Sequence, residues 1–216
     1  MAKLVWDKAS ERLYEAGVKN AVLYPVSSSD TSIAYTGGVV WNGLISVTES
    51  PSGAEPTALY ADDMKYLNLM SVEEFSATIE AYTYPKEFAA CNGEVRLKGL
   101  VIGQQPRKTF GLSYKTSIGN AENDALGYKI HIIYGCLAAP SEKAYSSIND
   151  SPEATTFSWE ISTTPVTIDD GFKPAAHLVI DSTKVDPETL KSIEEAIYGT
   201  DDTEPHLPNL YTPKQH

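Results

Sequence analysis

The sequence predicts a mainly β protein with one α-helix lying on a sheet, and three observations carry that prediction. Apolar and polar residues alternate with period two in several short runs rich in β-branched and aromatic side chains, the pattern of a half-buried strand. The breaks between runs hold turn residues. Only one segment carries a complete set of helix start and stop signals.

Taken in order, residues 39–47 place Val39, Trp41, Ile45 and Val47 on one strand face. Phe75, Ala77, Ile79 and Ala81 alternate with Ser76, Thr78 and Glu80. Phe110, Leu112 and Tyr114 form a third run, and Tyr128, Ile130, Ile132 and Tyr134 a fourth. Between these two lie Gly119-Asn120 and Asp124, so 110–134 reads as a hairpin with a mid-length loop. Phe157, Trp159 and Ile161 make a fifth run, and 176–180 a shorter sixth after the turn at Asp169-Asp170-Gly171. The helix is predicted at 187–198, with Asp186 as cap, Pro187 at the first position and Gly199 at the stop. Leu190, Ile193 and Ile197 fall on its one apolar face. Residues 62–70 are expected to form one or two helical turns, with Asp62-Asp63 as a cap, and 7–16 either a helix or an arm.

Residues 48–60 are rich in Pro, Gly and Ser between strand signals, and a loop of that length in a compact domain has a function or is disordered. Residues 140–153 form a second polar connection. The division expected is one domain over 1–200, with a projecting loop at 48–60, and a flexible acidic, proline-containing tail at 201–216.

A chain of 216 residues is long enough to bury a core without staples. Cys91 and Cys136 are the only cysteines, lack metal-ligand spacing and read as two packed thiols. No apolar run reaches membrane-spanning length, and the start shows no secretory signal, so synthesis and folding in a cytoplasm are expected. The net charge of −12 is uneven: residues 1–149 hold 13 basic and 16 acidic residues, residues 150–216 hold 4 and 13. Such a surface does not hold nucleic acid by electrostatics, although DNA can slide past it without sticking.

Chemistry-bearing motifs are scarce. Gly37-Gly38 leads into a strand rather than a helix, so a turn is read there and not a phosphate loop. No Gly-x-Ser-x-Gly elbow occurs. His131 and His177 each interrupt a strand and read as fillers, while His206 and His216 lie in the tail. The carboxylate pairs Asp62-Asp63, Glu73-Glu74, Asp169-Asp170 and Asp201-Asp202 are sequence neighbours, which on a strand point to opposite faces and make no acid/base dyad. The expectation is therefore no enzyme, no cofactor and no metal site.

Two features point to association instead. Thirteen tyrosines include Tyr82, Tyr84, Tyr114, Tyr128 and Tyr134 in or beside strands, which suits either an interface or a sandwich core. The stretch 96–108 holds Arg96, Lys98, Arg107 and Lys108 and no acid. Set against the acidic C-terminal third, it is a candidate basic assembly patch for head-to-tail contact between copies, or simply a solvated loop face.

The stretches 35–44 (Tyr-Thr-Gly-Gly-Val-Val-Trp-Asn-Gly-Leu), 58–66 (Ala-Leu-Tyr-Ala-Asp-Asp-Met-Lys-Tyr), 103–114 and 139–154, in that order, resemble the major tail protein of siphophages of Gram-positive bacteria. The similarity runs from about residue 4 to about residue 200 and rests on several long matches rather than one chemical signature. The resemblance implies a tail-tube subunit with two packed sheets, sandwich- or barrel-like, flanked by a helix. It implies rings, usually hexameric, stacked into the conduit for DNA in the virion tail. Implied partners are copies of itself, the tape measure, tail terminator and distal tail proteins, and DNA in transit, with no membrane. Within 48–60, Glu49, Ser50, Pro51, Ser52, Gly53, Ala54, Glu55 and Pro56 would then belong to the loop that reaches an adjacent subunit. The alternative is a carbohydrate- or receptor-binding β-sandwich of a phage tail or adhesin; a hydrolase with scattered carboxylates is a third reading.

Overall fold

The computed structural model describes residues 6, 8–29, 32–145, 147, 154–168 and 171–208. Where the sequence suggests a helix or an arm at 7–16, a 3₁₀ turn at Ala9–Glu11 leads into β1 (Tyr14–Ser29), followed by β2 (Ser32–Tyr35), β3 (Val39–Val40) and β4 (Leu44–Glu49). An outlying hairpin follows, β5 (Pro56–Ala61) and β6 (Met64–Met70), and then β7 (Ser76–Ala81) returns to the body. A 3₁₀ turn at Lys86–Ala90 precedes a second small hairpin, β8 (Val95–Leu97) and β9 (Leu100–Ile102). The long strands β10 (Phe110–Gly119) and β11 (Gly127–Ala138) come next, then β12 (Phe157–Ser162), β13 (His177–Asp181) and α1 (Pro187–Tyr198).

One antiparallel sheet of nine strands forms the body, in the order β2-β1-β10-β11-β12-β7-β4, with β13 on β11 and β3 on β1. The turn in this sheet is made at Gly135. Up to Tyr134, odd positions of β11 (Ile133) face one core while even positions (Ile130, Ile132, Tyr134) face the other; past Gly135, Cys136 and Ala138 rejoin the first. Gly135 has φ +60°, and a Cβ there would lie 2.3 Å from the Thr164 carbonyl oxygen, so only glycine makes this bulge. Beyond it, Leu137 and Ala138 alone pair with β12, and β12, β7 and β4 continue as a second layer.

The first core lies between the two parts of the sheet and is dominated by aromatic rings. Phe88 sits 4.7 Å from Trp41, 5.1 Å from Trp159 and 5.3 Å from Phe110, mostly edge-on, as ring quadrupoles prefer. Both indole N–H groups are satisfied, Trp41 by the Thr83 carbonyl at 2.9 Å and Trp159 by Asn92 at 3.0 Å. The second core lies on the opposite face of β1, β10 and β11, beneath α1, and holds Tyr24, Ile130, Ile132, Tyr134 and Ile197. The helix is as the sequence predicts: Asp186 accepts from the Thr189 amide at 3.0 Å and Gly199 ends it. Tyr24 fastens it to the sheet by donating to the Ile197 carbonyl at 2.8 Å.

Four expectations are corrected. The strand predicted at 39–47 is two strands, β3 on β1 and β4 on β7, divided by a turn at Asn42-Gly43. Residues 62–70 are not helical: Asp62 and Asp63, at φ +51° and +57°, make the tight turn of the β5–β6 hairpin rather than a helix cap. Residues 48–60 are not one loop, because Thr48 and Glu49 finish β4 and Pro56 opens β5. The tail returns to the body as far as Pro208: Leu207 is buried, its amide donates to the Tyr35 carbonyl at 3.0 Å, and Tyr134 donates to the Pro208 carbonyl at 2.9 Å. Residues 209–216 and Asp169-Asp170 lie outside the described residues.

Candidate functional site

The predicted inter-subunit segment is the stem of an arm. Glu49 closes β4; the Ser50 amide donates to the Ser76 carbonyl at 2.8 Å, and Ser52 exchanges two backbone bonds with Glu74. Pro51, Gly53, Ala54 and Glu55 then turn the chain outward and Pro56 starts the arm's first strand. The arm is a two-stranded hairpin that neither core reaches, and every residue of β6 is exposed. Tyr60, Met64, Tyr66, Leu69, Met70 and Val72 are each more than half exposed. An isolated hairpin of two strands is marginal in water. A contiguous apolar surface of this kind marks an interaction site.

The basic stretch is the second hairpin with its return. Lys98 stands at the tip in the turn with Gly99. Arg96 is exposed but lies over the Tyr84 ring at 5.2 Å and 4.0 Å from Glu94. Arg107 donates to the Ala138 carbonyl at 3.0 Å, and the Lys108 amide to the Ala90 carbonyl. The four residues therefore do not form one uniform patch. Val95, Leu97, Leu100, Val101 and Ile102 are exposed beside them, so this hairpin too presents apolar surface.

At the root of the arm the fold assembles a group that no single strand discloses. Tyr114 of β10, His131 of β11 and His177 of β13 lie with nearly parallel rings, 4.6 Å and then 5.6 Å between centroids, and Phe75 follows 4.5 Å beyond His177. His131 Nδ1 is 3.4 Å from His177 Nε2 and 3.4 Å from Glu49 Oε1, and His177 Nε2 is 3.5 Å from the same oxygen. Tyr114 donates to that oxygen at 2.8 Å. On the far side, His131 Nε2 lies 3.1 Å from Glu15 Oε1 and 3.1 Å from the Thr116 hydroxyl, and Glu15 is paired with Lys129.

Charge states follow from these neighbours. Burial pushes the Tyr114 hydroxyl up, and the carboxylate it donates to adds to the shift. Burial works to raise Glu15, yet bonds from Lys129, Thr116 and His131 hold it below its ordinary value. Burial lowers His177, with His131 adding and Glu49 opposing. The thiols Cys91 and Cys136 are buried and free; burial raises Cys91 to about 11 and Cys136 further.

Sequence reasoning treated His131 and His177 singly. Their meeting depends on register: His131 opposes Val179 while Ile133 opposes His177, which makes the histidines diagonal neighbours on one face. Two polar aromatic residues at inward positions of neighbouring apolar strands were the available signal. No family model matches the chain, and no curated protein gives a significant match. Among the described residues no helix is long and apolar enough to cross a membrane.

Proposed function

We propose that this chain is a structural subunit that assembles with copies of itself, as a tail-tube protein of a siphophage does. The observation that carries the reading is the β5–β6 arm, a mostly apolar hairpin that neither core of the described residues covers, on a stem bonded to the body. The occupant that covers it is a second copy. Each copy offers a sheet edge at β4, and the arm carries Lys65 on its strands and Asp62-Asp63 at its turn among mostly apolar residues. Repeated heterologous contact closes into a ring when its rotation permits, hexameric in the family the sequence resembles, and axial contacts between rings give a tube. The mainly β body with a flanking helix is consistent with that family's subunit, and the net acidity suits a wall past which DNA slides. In this reading the virion tail is its location, and the tape measure, terminator and distal tail proteins are its further partners.

Electron microscopy and sedimentation of the purified chain over a concentration series test it. Rings or tubes that grow with concentration are expected. A particle that stays monomeric at every concentration and binds an oligosaccharide sinks the reading in favour of a carbohydrate-binding module.

A further inference from the structure

Three atoms able to ligate a metal converge at the root of the arm: Glu49 Oε1, His131 Nδ1 and His177 Nε2. The Thr116 hydroxyl donates to Glu15, so its remaining capacity toward His131 Nε2 is to accept, and Glu15 is an acceptor as well. His131 thus donates from Nε2 toward Glu15, which leaves Nδ1 as the nitrogen that faces Glu49 and His177. Glu49 Oε1 accepts from the Tyr114 hydroxyl at 2.8 Å and keeps a further lone pair toward the two imidazoles, 3.4 and 3.5 Å away. A cation at the centre would reach one ligand atom from each of the three residues.

The spacing fits one kind of cation. The three ligand atoms form a nearly equilateral triangle with edges of 3.4, 3.4 and 3.5 Å. Ligands about 2.1 Å from a tetrahedral metal stand about 3.4 Å apart. Two imidazoles and one carboxylate suit Zn²⁺ and late first-row ions, whereas Mg²⁺ and Ca²⁺ ask for more oxygen ligands. The His131–Glu15 pair has the form in which a carboxylate holds a metal-bound imidazole by its other nitrogen.

We propose that Glu49, His131 and His177 form a tetrahedral site for Zn²⁺ or a similar late first-row divalent ion, with water in the fourth position. Its place gives it a task. Glu49 is the last residue of β4 before the arm, and Phe75, the last residue before β7 on the returning side, stacks on His177. The ion fastens the outgoing side of the stem to β11 and β13, while the ring stack holds the returning side. This assignment rests on the cluster alone and does not require the chain to build a tube.

Titration of the tag-free, metal-stripped chain with Zn²⁺ by calorimetry, and with Co²⁺ by visible absorption, tests it. One equivalent per chain, the intense visible bands of tetrahedral Co²⁺ and no response to Mg²⁺ are expected. Glu49→Gln keeps the shape and the Tyr114 bond, so it stays folded; it and His177→Gln should each weaken Zn²⁺ binding by at least about 100-fold, and Glu15→Gln by about 10- to 100-fold. His206→Gln, in the C-terminal strap, should change nothing. No saturable Zn²⁺ binding, or binding that survives unchanged in folded Glu49→Gln, overturns the site.

Discussion

Glu94 accepts hydrogen bonds from Asn92 at 2.7 Å, Lys143 at 2.9 Å and Tyr84 at 3.1 Å, and Asn92 in turn holds the Trp159 indole. A carboxylate thus braces the ring cluster from its edge. Burial works to raise its pKa, but Lys143 and Tyr84, with Arg96 nearby, hold it below the ordinary 4.5. As pH falls past 4.5 the unfolded chain takes up this proton first, so the stability Glu94 confers is complete above 4.5 and fades as pH drops through its folded value. Glu94→Gln should cost about 1–3 kcal/mol at neutral pH, and the gap from the parent should close in acid; denaturant melts across pH check this. None of this was legible beforehand. Glu94 has no role in the sequence reading, and nothing local there tells that the exposed Arg96 lies near Glu94 and over the Tyr84 ring. The histidines failed for the same reason, since single residues take their meaning from partners 46 positions away, as His131 and His177 do.

At the scale of elements, legibility followed local chemistry. The helix could be read to the residue because its cap, its Pro187 and its Gly199 are all local signals. The 16-residue β1 was missed although it is central, because its register slips twice, between Ala16 and Lys19 and between Lys19 and Val22. Gly17 and Asn20 adopt positive φ there, so the apolar residues fall out of period two. The arm was read as a loop with a helical end because both its faces are apolar, which gives no alternation to detect. Its independence from the cores makes a clean experiment possible. Replacing 54–71 by a short Gly-Ser linker leaves the Ser52–Glu74 bonds and all of β4 in place. The denaturation midpoint should stay near that of the parent, whereas assembly seen by sedimentation should disappear. A variant that fails to fold would show that the hairpin belongs to the body.

For the whole molecule, the mainly β class was legible because five alternating runs and a shorter, less regular sixth exist whatever their partners are. Sheet order was not, since β1 and β10 come together across about half of the chain, and the bend at Gly135 reads locally as any glycine. Nor did tail composition reveal that Leu207 returns to Tyr35, because one buried leucine among acids and prolines makes no pattern. The arm described above also turns the molecule into its own clock. Lys65 is the single Lys or Arg between residues 50 and 85, and it is exposed on a ladder of only two strands, which opens more readily than the body. Trypsin should therefore nick free subunits after Lys65 early, leaving the halves joined by the nine-stranded sheet. Subunits whose arms are engaged should resist, so the resistant fraction on a gel, followed over time, counts docked arms without a label.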